Sequence, residues 1–216
     1  MFSKLFGKSK EKPAQSLVPE IMGLRLGGAF NLDELRMRLI EPKLTVEGVA
    51  RTQFIQAVGR VVMDDDSVIL RFYTDDDGFL QVVLSGGESE ENITNVQLWY
   101  FYDTQGIGSQ RDWDQLLKSS VSQESFSLEG EQFSRLWTST GSESPPVAMT
   151  ETTYMEKGKT SETDQFVMLY ERVIEDGLVE YAMISAEEKI IDNNYDRCVV
   201  KSTGFDLMVS DIDIVG

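Results

Sequence analysis

The sequence contains no histidine and a single cysteine among 216 residues. Without histidine, Ser-His-Asp and Cys-His nucleophilic catalysis, imidazole acid–base chemistry and histidine-ligated zinc are excluded. With one thiol, no intramolecular disulfide and no thiolate zinc site can form. Cys198 sits in the apolar-flanked run RCVVK and reads as a small core residue rather than a nucleophile. No run approaches roughly 18 consecutive apolar residues, so no membrane-spanning helix is expected. The N-terminus lacks the apolar stretch of a secretory signal. Together these absences lead to the expectation of a reduced, cytoplasmic setting and no cofactor. Any catalysis would have to rest on carboxylates, lysine, tyrosine or a hard metal.

Positive charge is scarce as well. Lysine and arginine number 20 against 37 aspartates and glutamates, for a net charge of −17 and a pI near 4.3. Such a surface repels phosphate backbones, so no nucleic-acid partner is expected. Residues 1–12 break the trend, with Lys4, Lys8, Lys10 and Lys12 against Glu11 alone. That tip carries +3, so the other 204 residues carry −20 of the net −17. Phe2, Leu5 and Phe6 fall on one face of a helix and Lys4, Lys8 and Lys12 on another. Two readings of residues 1–16 stand: a solubilising tail, or a weak contact with a membrane or a partner through Phe2, Lys4, Leu5, Phe6 and Lys8. Three large apolar groups make a marginal anchor that needs a second signal.

Residues 17–216 read as one β-rich unit. Gly27 and Gly28 mark a turn and do not complete a dinucleotide-binding fingerprint. Asn31 or Asp33 suits the cap of a short helix over 32–38, although Leu35, Met37 and Leu39 alternate with Arg36 and Arg38 as a strand would. KLTVE, from residue 43, alternates and is expected as a strand. TQFIQAVGRVVM, SVILRFYT and FLQVVLS follow as further strands separated by Asp-rich breaks. VQLWYFYDT adds another strand, and SQRDWDQLLKSS reads as a short helix capped by Ser109. The small, polar stretch TSTGSESPP, residues 138–146, is the one candidate subdomain break or long surface loop. Beyond it VAMTETTYME, QFVMLYERVI and LVEYAMISAEE are strand-like. Asp176 and Gly177 are expected to form a two-residue hairpin turn that pairs Arg172 with Tyr181 and Leu169 with Ile184. RCVVKS and FDLMVS close the chain. The fold class is α+β: a predominantly antiparallel sheet of meander hairpins with one or two short helices.

The stretch RFYTDDDGFLQVV carries the main functional question. Asp75, Asp76 and Asp77 and the sister triplet Asp64, Asp65 and Asp66 invite a metal hypothesis. Neither has the alternating ligand spacing of a calcium loop. Adjacent side chains of an extended strand point to opposite faces, and the intervening strand would separate the triplets by roughly 25 Å. A type I turn with Asp at its first position and Gly at its fourth fits instead, with Gly78 left-handed and Asp75 pairing with Phe79. On this reading Asp75 and Gly78 serve the turn, and two roles stay open for the triplet: the turn alone, or also an acidic contact with a basic partner through Asp75, Asp76 and Asp77, which would explain Asp76 and Asp77. Gly106-Ile107-Gly108 lacks the third glycine and the lysine of a phosphate loop. The run Trp99, Tyr100, Phe101 and Tyr102 reads as core more readily than as a ligand-stacking platform.

LRLGGAF (24–30), EGVARTQFIQAVGR (47–60), RFYTDDDGFLQV (71–82) and WYFYDT (99–104) together resemble the YjfK-like family of uncharacterised bacterial proteins. The resemblance carries over no catalytic residues. It implies a setting, because genes of that family often neighbour a PspA-like coiled-coil membrane-stress protein, a small multipass membrane protein and an ATP-grasp ligase similar to glutathionylspermidine synthetase. Two functions are therefore expected as rivals. One is a non-enzymatic cytoplasmic binding or adaptor protein in an envelope-associated system, peripheral at the inner membrane, whose partner the resemblance places among the PspA-like or small membrane proteins. The other is a carboxylate-based enzyme or ligand-binding domain for a polyamine-like cation or a divalent metal.

Overall fold

The computed structural model describes residues 18–137 and 144–215. Among the described residues β1 (Ala29–Leu32) and α1 (Glu34–Ile40) come first, followed by β2 (Thr52–Val62), β3 (Val68–Thr74), β4 (Gly78–Leu84) and β5 (Ile93–Gly106). A short helix α2 (Gln110–Gln115) and the hairpin of β6 (Ser125–Leu128) and β7 (Glu131–Arg135) follow. Then come β8 (Val147–Met155), β9 (Lys159–Glu175), β10 (Leu178–Ile191), β11 (Asn194–Asp206) and β12 (Ile212–Val215). No helix among the described residues is long and apolar enough to cross a membrane.

Among the described residues the sheet is antiparallel and the α-helices are two and short, as the sequence suggested. It also closes on itself. β2 to β5 and β8 to β11 are two four-stranded meanders, joined by β5 against β11 and by β8 against β2, which makes an eight-stranded barrel. Closure pairs backbone groups that an open sheet would leave free at its edges. It also explains why strands such as VILRFYT and GFLQVVL are apolar and buried on both phases, since one phase fills the barrel and the other meets an outer layer.

Two outer layers cover the barrel wall. On the first meander, Val58, Leu70, Phe72, Leu80, Val82, Val96 and Leu98 form one cluster with Phe30, Leu32, Met37 and Ile40 from β1 and α1. Asp33 caps α1, its carboxylate accepting from the Arg36 amide at 2.6 Å, so the open choice at 32–39 resolves to a helix over Glu34–Ile40. On the second meander, Met168, Tyr170, Ala182, Ile184 and Val199 meet Trp113 and Leu116 and the β6–β7 hairpin residue Phe133. Ser109 caps α2 through the Asp112 amide, as its sequence implied.

The interior is narrow and filled, as expected for eight strands. Phe79, Trp99, Val167 and Met183 form its apolar part. Its polar part centres on Arg71, only 4% exposed. The Arg71 guanidinium donates from Nη1 to Glu151 Oε2 and Gln165 Oε1, both at 2.8 Å, and from Nε to Gln81 Oε1 at 3.1 Å. Tyr73 donates to the other Glu151 oxygen at 2.7 Å. Gln81 passes the chain to Gln97, which with Asn95 and Tyr181 donates to Asp206. Burial by itself would lower the Arg71 pKa, but the carboxylates of Glu151 and Glu187 and the Tyr73 hydroxyl outweigh it and raise the pKa above its usual value, so the guanidinium is held charged. Burial likewise raises the Glu187 carboxyl above its usual range, against the hydroxyl of Ser185 that donates to it at 3.1 Å.

Several local expectations need correction. KLTVE is not a strand: residues 44–51 form an extended strap over the outer wall, with Leu44 buried and Val46 and Val49 packed on the first cluster. Its alternation is satisfied by packing instead of pairing, and the Thr45 amide and hydroxyl both donate to Glu180 Oε1 at 2.7 Å. The Asp176–Gly177 turn forms, with Gly177 at φ 77°, but a bulge beside Leu178 moves the register by one. Arg172 pairs with Glu180 and Leu169 with Met183, which leaves Val173 at the surface, 72% exposed. FDLMVS divides between the end of β11 and a 3-10 turn. A tight turn at Asp192 and Asn193, both left-handed at φ 51° and 64°, joins β10 to β11. Its signal was the pair of residue types that most readily adopt that conformation.

Candidate functional site

The aspartate triplet at 75–77 caps one end of the barrel, and its turn is centred one residue earlier than the sequence suggests. Tyr73 pairs with Phe79 and Arg71 with Gln81, two positions from the expected register. Asp77, at φ 51°, takes the left-handed place assigned to Gly78. Gly78 is required for a different reason: a Cβ there would lie 2.4 Å from the Trp99 carbonyl oxygen on β5.

The three carboxylates have separate duties. Asp75 exchanges bonds with Phe54 on β2, its Oδ1 accepting from the Phe54 amide at 2.9 Å and its own amide donating to the Phe54 carbonyl at 3.1 Å. Asp76 is half-buried and holds the strap. Its Oδ2 accepts from the Ala50 amide at 2.8 Å, the Gln53 amide group at 2.7 Å and the Tyr100 hydroxyl at 3.2 Å. Burial and the nearby Asp76 charge raise the Tyr100 hydroxyl well above its ordinary range, so it stays a donor. Asp77 is exposed.

Between this turn, the strap and β5 lies a cavity of about 300 Å³. Its walls carry Glu47, Asp76 and Asp77 together with Tyr100, Phe101 and Tyr102, and among the described residues no lysine or arginine lines it. The aromatic run of β5 thus divides. Trp99 and Tyr100 are core, as expected, while Phe101 and Tyr102 are 42% and 43% exposed. Phe101 is held in place by Phe79, 5.6 Å between ring centroids, and by Tyr73, stacked at 6.3 Å. The Tyr102 hydroxyl donates to Glu129.

The sister triplet serves a turn. Asp65 Oδ1 accepts from the Ser67 amide at 3.0 Å and hydroxyl at 2.6 Å, which lowers its pKa, and Asp66 is left-handed at φ 64°. Among the described residues no three carboxylate or thiol groups converge as a metal-ligand set. Burial pushes the half-buried Cys198 thiol up to about 11, with Glu187 and Asp196 adding to the shift, which keeps it a poor nucleophile at neutral pH. Phe2, Lys4, Leu5, Phe6 and Lys8 lie outside the described residues, as do residues 138–143 of the linker stretch.

Sequence reading missed the interior network altogether. A signal was present for part of it: Arg71, Gln81 and Gln97 are polar residues inside apolar runs and share the inward phase, whereas Glu151 and Glu187 lie in polar stretches that gave none.

The family described as "Protein of unknown function (DUF2491)" matches residues 1–213 of the chain. The chain is also 28% identical to a protein of Escherichia coli (strain K12) named "Uncharacterized protein YjfK", over 221 aligned positions that cover 100% of this chain and 98% of that protein.

Proposed function

The chain belongs to the DUF2491 family, and from its own geometry we propose that it is a non-catalytic binding protein whose barrel end receives a cationic side chain of a basic partner. The observation that carries this reading is the cavity in which Glu47, Asp76 and Asp77 face the exposed rings of Phe101 and Tyr102 with no basic residue among the described lining. A lysine ammonium or arginine guanidinium entering it would meet carboxylates on one side and aromatic faces on the other. Each favours a cation, and a partly desolvated cation–aromatic contact contributes about 0.5–2 kcal/mol. The net charge of −17 would accelerate the encounter.

A short Lys-Gly-Lys-Gly-Lys peptide should therefore shift the amide resonances of residues 46–48, 76–77 and 101–102. Asp77→Asn and Phe101→Ala should each weaken binding by roughly 3- to 10-fold, in line with about 0.6–1.4 kcal/mol. Asp77→Asn should leave thermal stability unchanged, because its carboxylate is exposed. Asp76 is unsuitable for this test, since its loss frees the strap. Binding equal to that of an uncharged Ser-Gly peptide would remove the proposal. Spermidine binding as tight as the peptide would favour a small polyamine as the ligand instead.

The adaptor reading extends to residues 1–12, whose charge opposes that of the rest of the chain. Phe2, Leu5 and Phe6 with Lys4 and Lys8 have the composition of a weak contact with an anionic membrane surface. The full chain should float with vesicles containing anionic lipid and the chain lacking residues 1–12 should not. Equal flotation of the two would end this part of the reading.

A further inference from the structure

The barrel seam between β2 and β8 is shorter than its strands. Pairing runs from Ala57 with Met155 to Val61 with Glu151 and stops there. At Met63 the chain turns back: the Met63 amide donates to the Ser67 carbonyl and the Asp66 amide to the Met63 carbonyl. β8 continues for four more residues, 147–150, paired with β9 alone. In an antiparallel ladder alternate residues direct their N–H and C=O groups away from the partner strand. Two residues of this segment therefore present both groups to the open side, and among the described residues none of the four makes a backbone hydrogen bond beyond β9. The step opens on a cavity of about 580 Å³. Val62, Met63, Met149 and Phe166 supply apolar walls, and Asp64 and Asp65 line it as well.

We propose that this step is a strand-addition site for an extended segment of a partner protein. The segment would lie antiparallel to β8, continue the line that β2 abandons at Met63, and satisfy the free backbone groups of residues 147–150. Backbone pairing supplies the affinity of such sites and alternate side-chain contacts the specificity. One phase of the added strand faces Val62 and Phe166 and the other faces Met149, so apolar or β-branched residues suit both. Asp64, Asp65 and Asp164 call for lysine or arginine at the ends, because the one cation in the described lining, Arg60, is already paired with Glu88. The same charges oppose a second copy of this chain, which would bring its own aspartates and a net −17 against them. Pro145 and Pro146 lack amide hydrogens and bound the usable edge just before Val147.

The probe is an acetylated Lys-Val-Thr-Val-Thr-Val-Lys peptide, unmodified or N-methylated on one alternate set of residues or on the other. Amide shifts should centre on residues 62–65, 147–150 and 164–166. One methylation set should weaken binding about tenfold or more, since each lost backbone bond costs about 0.5–1.5 kcal/mol and the methyl group obstructs pairing. The other set faces solvent and should bind within about twofold of the unmodified peptide by the same reasoning. Equal loss with both sets, shifts confined to the Asp77–Phe101 cavity, or no shift at millimolar peptide would each overturn the proposal. So would a dimer in sedimentation velocity that dissociates when the peptide binds, which would make a second copy the native occupant. Peptide binding seen only after residues 138–143 are replaced by a Gly-Ser linker would assign the edge to that segment of the chain itself and equally overturn it.

Discussion

Arg71→Met is expected to be among the most destabilising single substitutions in this protein, by about 3–5 kcal/mol. Both partners of the Arg71–Glu151 pair are inside the barrel, 5% and 1% exposed at their side chains. Removing the guanidinium leaves Glu151 in a low-dielectric interior with donors only from Tyr73 and Gln165 among the described residues. It also strips a donor from the acceptor oxygens of Gln81 and Gln165. The cost of an uncompensated buried charge exceeds that of losing the pair, so the double variant Arg71→Met/Glu151→Leu should recover a substantial part of the loss. For a chain of this length the single substitution corresponds to a fall in Tm on the order of 10 °C. Urea unfolding followed by tryptophan fluorescence, to which Trp99 in the same interior contributes, measures both variants. Arg71→Met within about 1 kcal/mol of the parent, or a double variant no better than the worse single one, would show that the pair is not the centre of the interior.

Gly204→Ala is expected to cost about 2–3 kcal/mol, the upper part of the range for overpacking a filled core. β11 crosses β5 with Gly204 directly opposite Trp99. A Cβ on residue 204 would lie 2.5 Å from the indole ring and 2.8 Å from the Leu98 carbonyl oxygen. The indole cannot withdraw, because it is fully buried, its Nε1 donates to Gln97 at 3.3 Å, and it stacks on Phe79 at 6.3 Å. Adding Trp99→Leu to Gly204→Ala should therefore cost less than the sum of the two single changes, a non-additivity of about 0.5–3 kcal/mol for groups in contact. Gly106→Ala supplies the control. It lies on β5, the strand that carries Trp99, and a Cβ placed there would meet no described atom within 4 Å, so the change should be neutral to slightly stabilising. Equal effects at the two glycines would refute the steric account.

What was legible in advance was local. The caps at Asp33 and Ser109, the turn at Gly177 and the Asp-rich breaks between strands follow from side chains hydrogen-bonding to backbone within a few residues, and from which residues tolerate positive φ. Registers were less legible because they depend on neighbours outside the hairpin. Gly78 looked like a turn glycine, yet it is small for the sake of the Trp99 carbonyl on the next strand, and Asp77 does the turning. KLTVE, residues 43–47, alternates as a strand would, but the outer wall it covers has no free edge to pair with. In the candidate site the carboxylates of the turn stood out in the sequence. Their combination with Glu47 and the exposed halves of Phe101 and Tyr102 did not, because the strap and β5 are brought to the turn only by tertiary packing.

The sequence by itself determined the composition-level exclusions and most of the long antiparallel strands, because absent residue types and short-range backbone chemistry require no third dimension; the short strands β1, β6, β7 and β12 were not legible in it. Only the tertiary structure decided that the strands close into a barrel and which phase lies inside. Closure joins β5 to β11, pairing Gln97 with Asp206, and β2 to β8, pairing Val61 with Glu151. Strands apolar on both phases fit an open, twice-covered sheet as well as a barrel. The choice rests on burying Arg71 where Glu151, Gln165 and Gln81 can all reach it, a condition met only when strands distant in sequence enclose the same space.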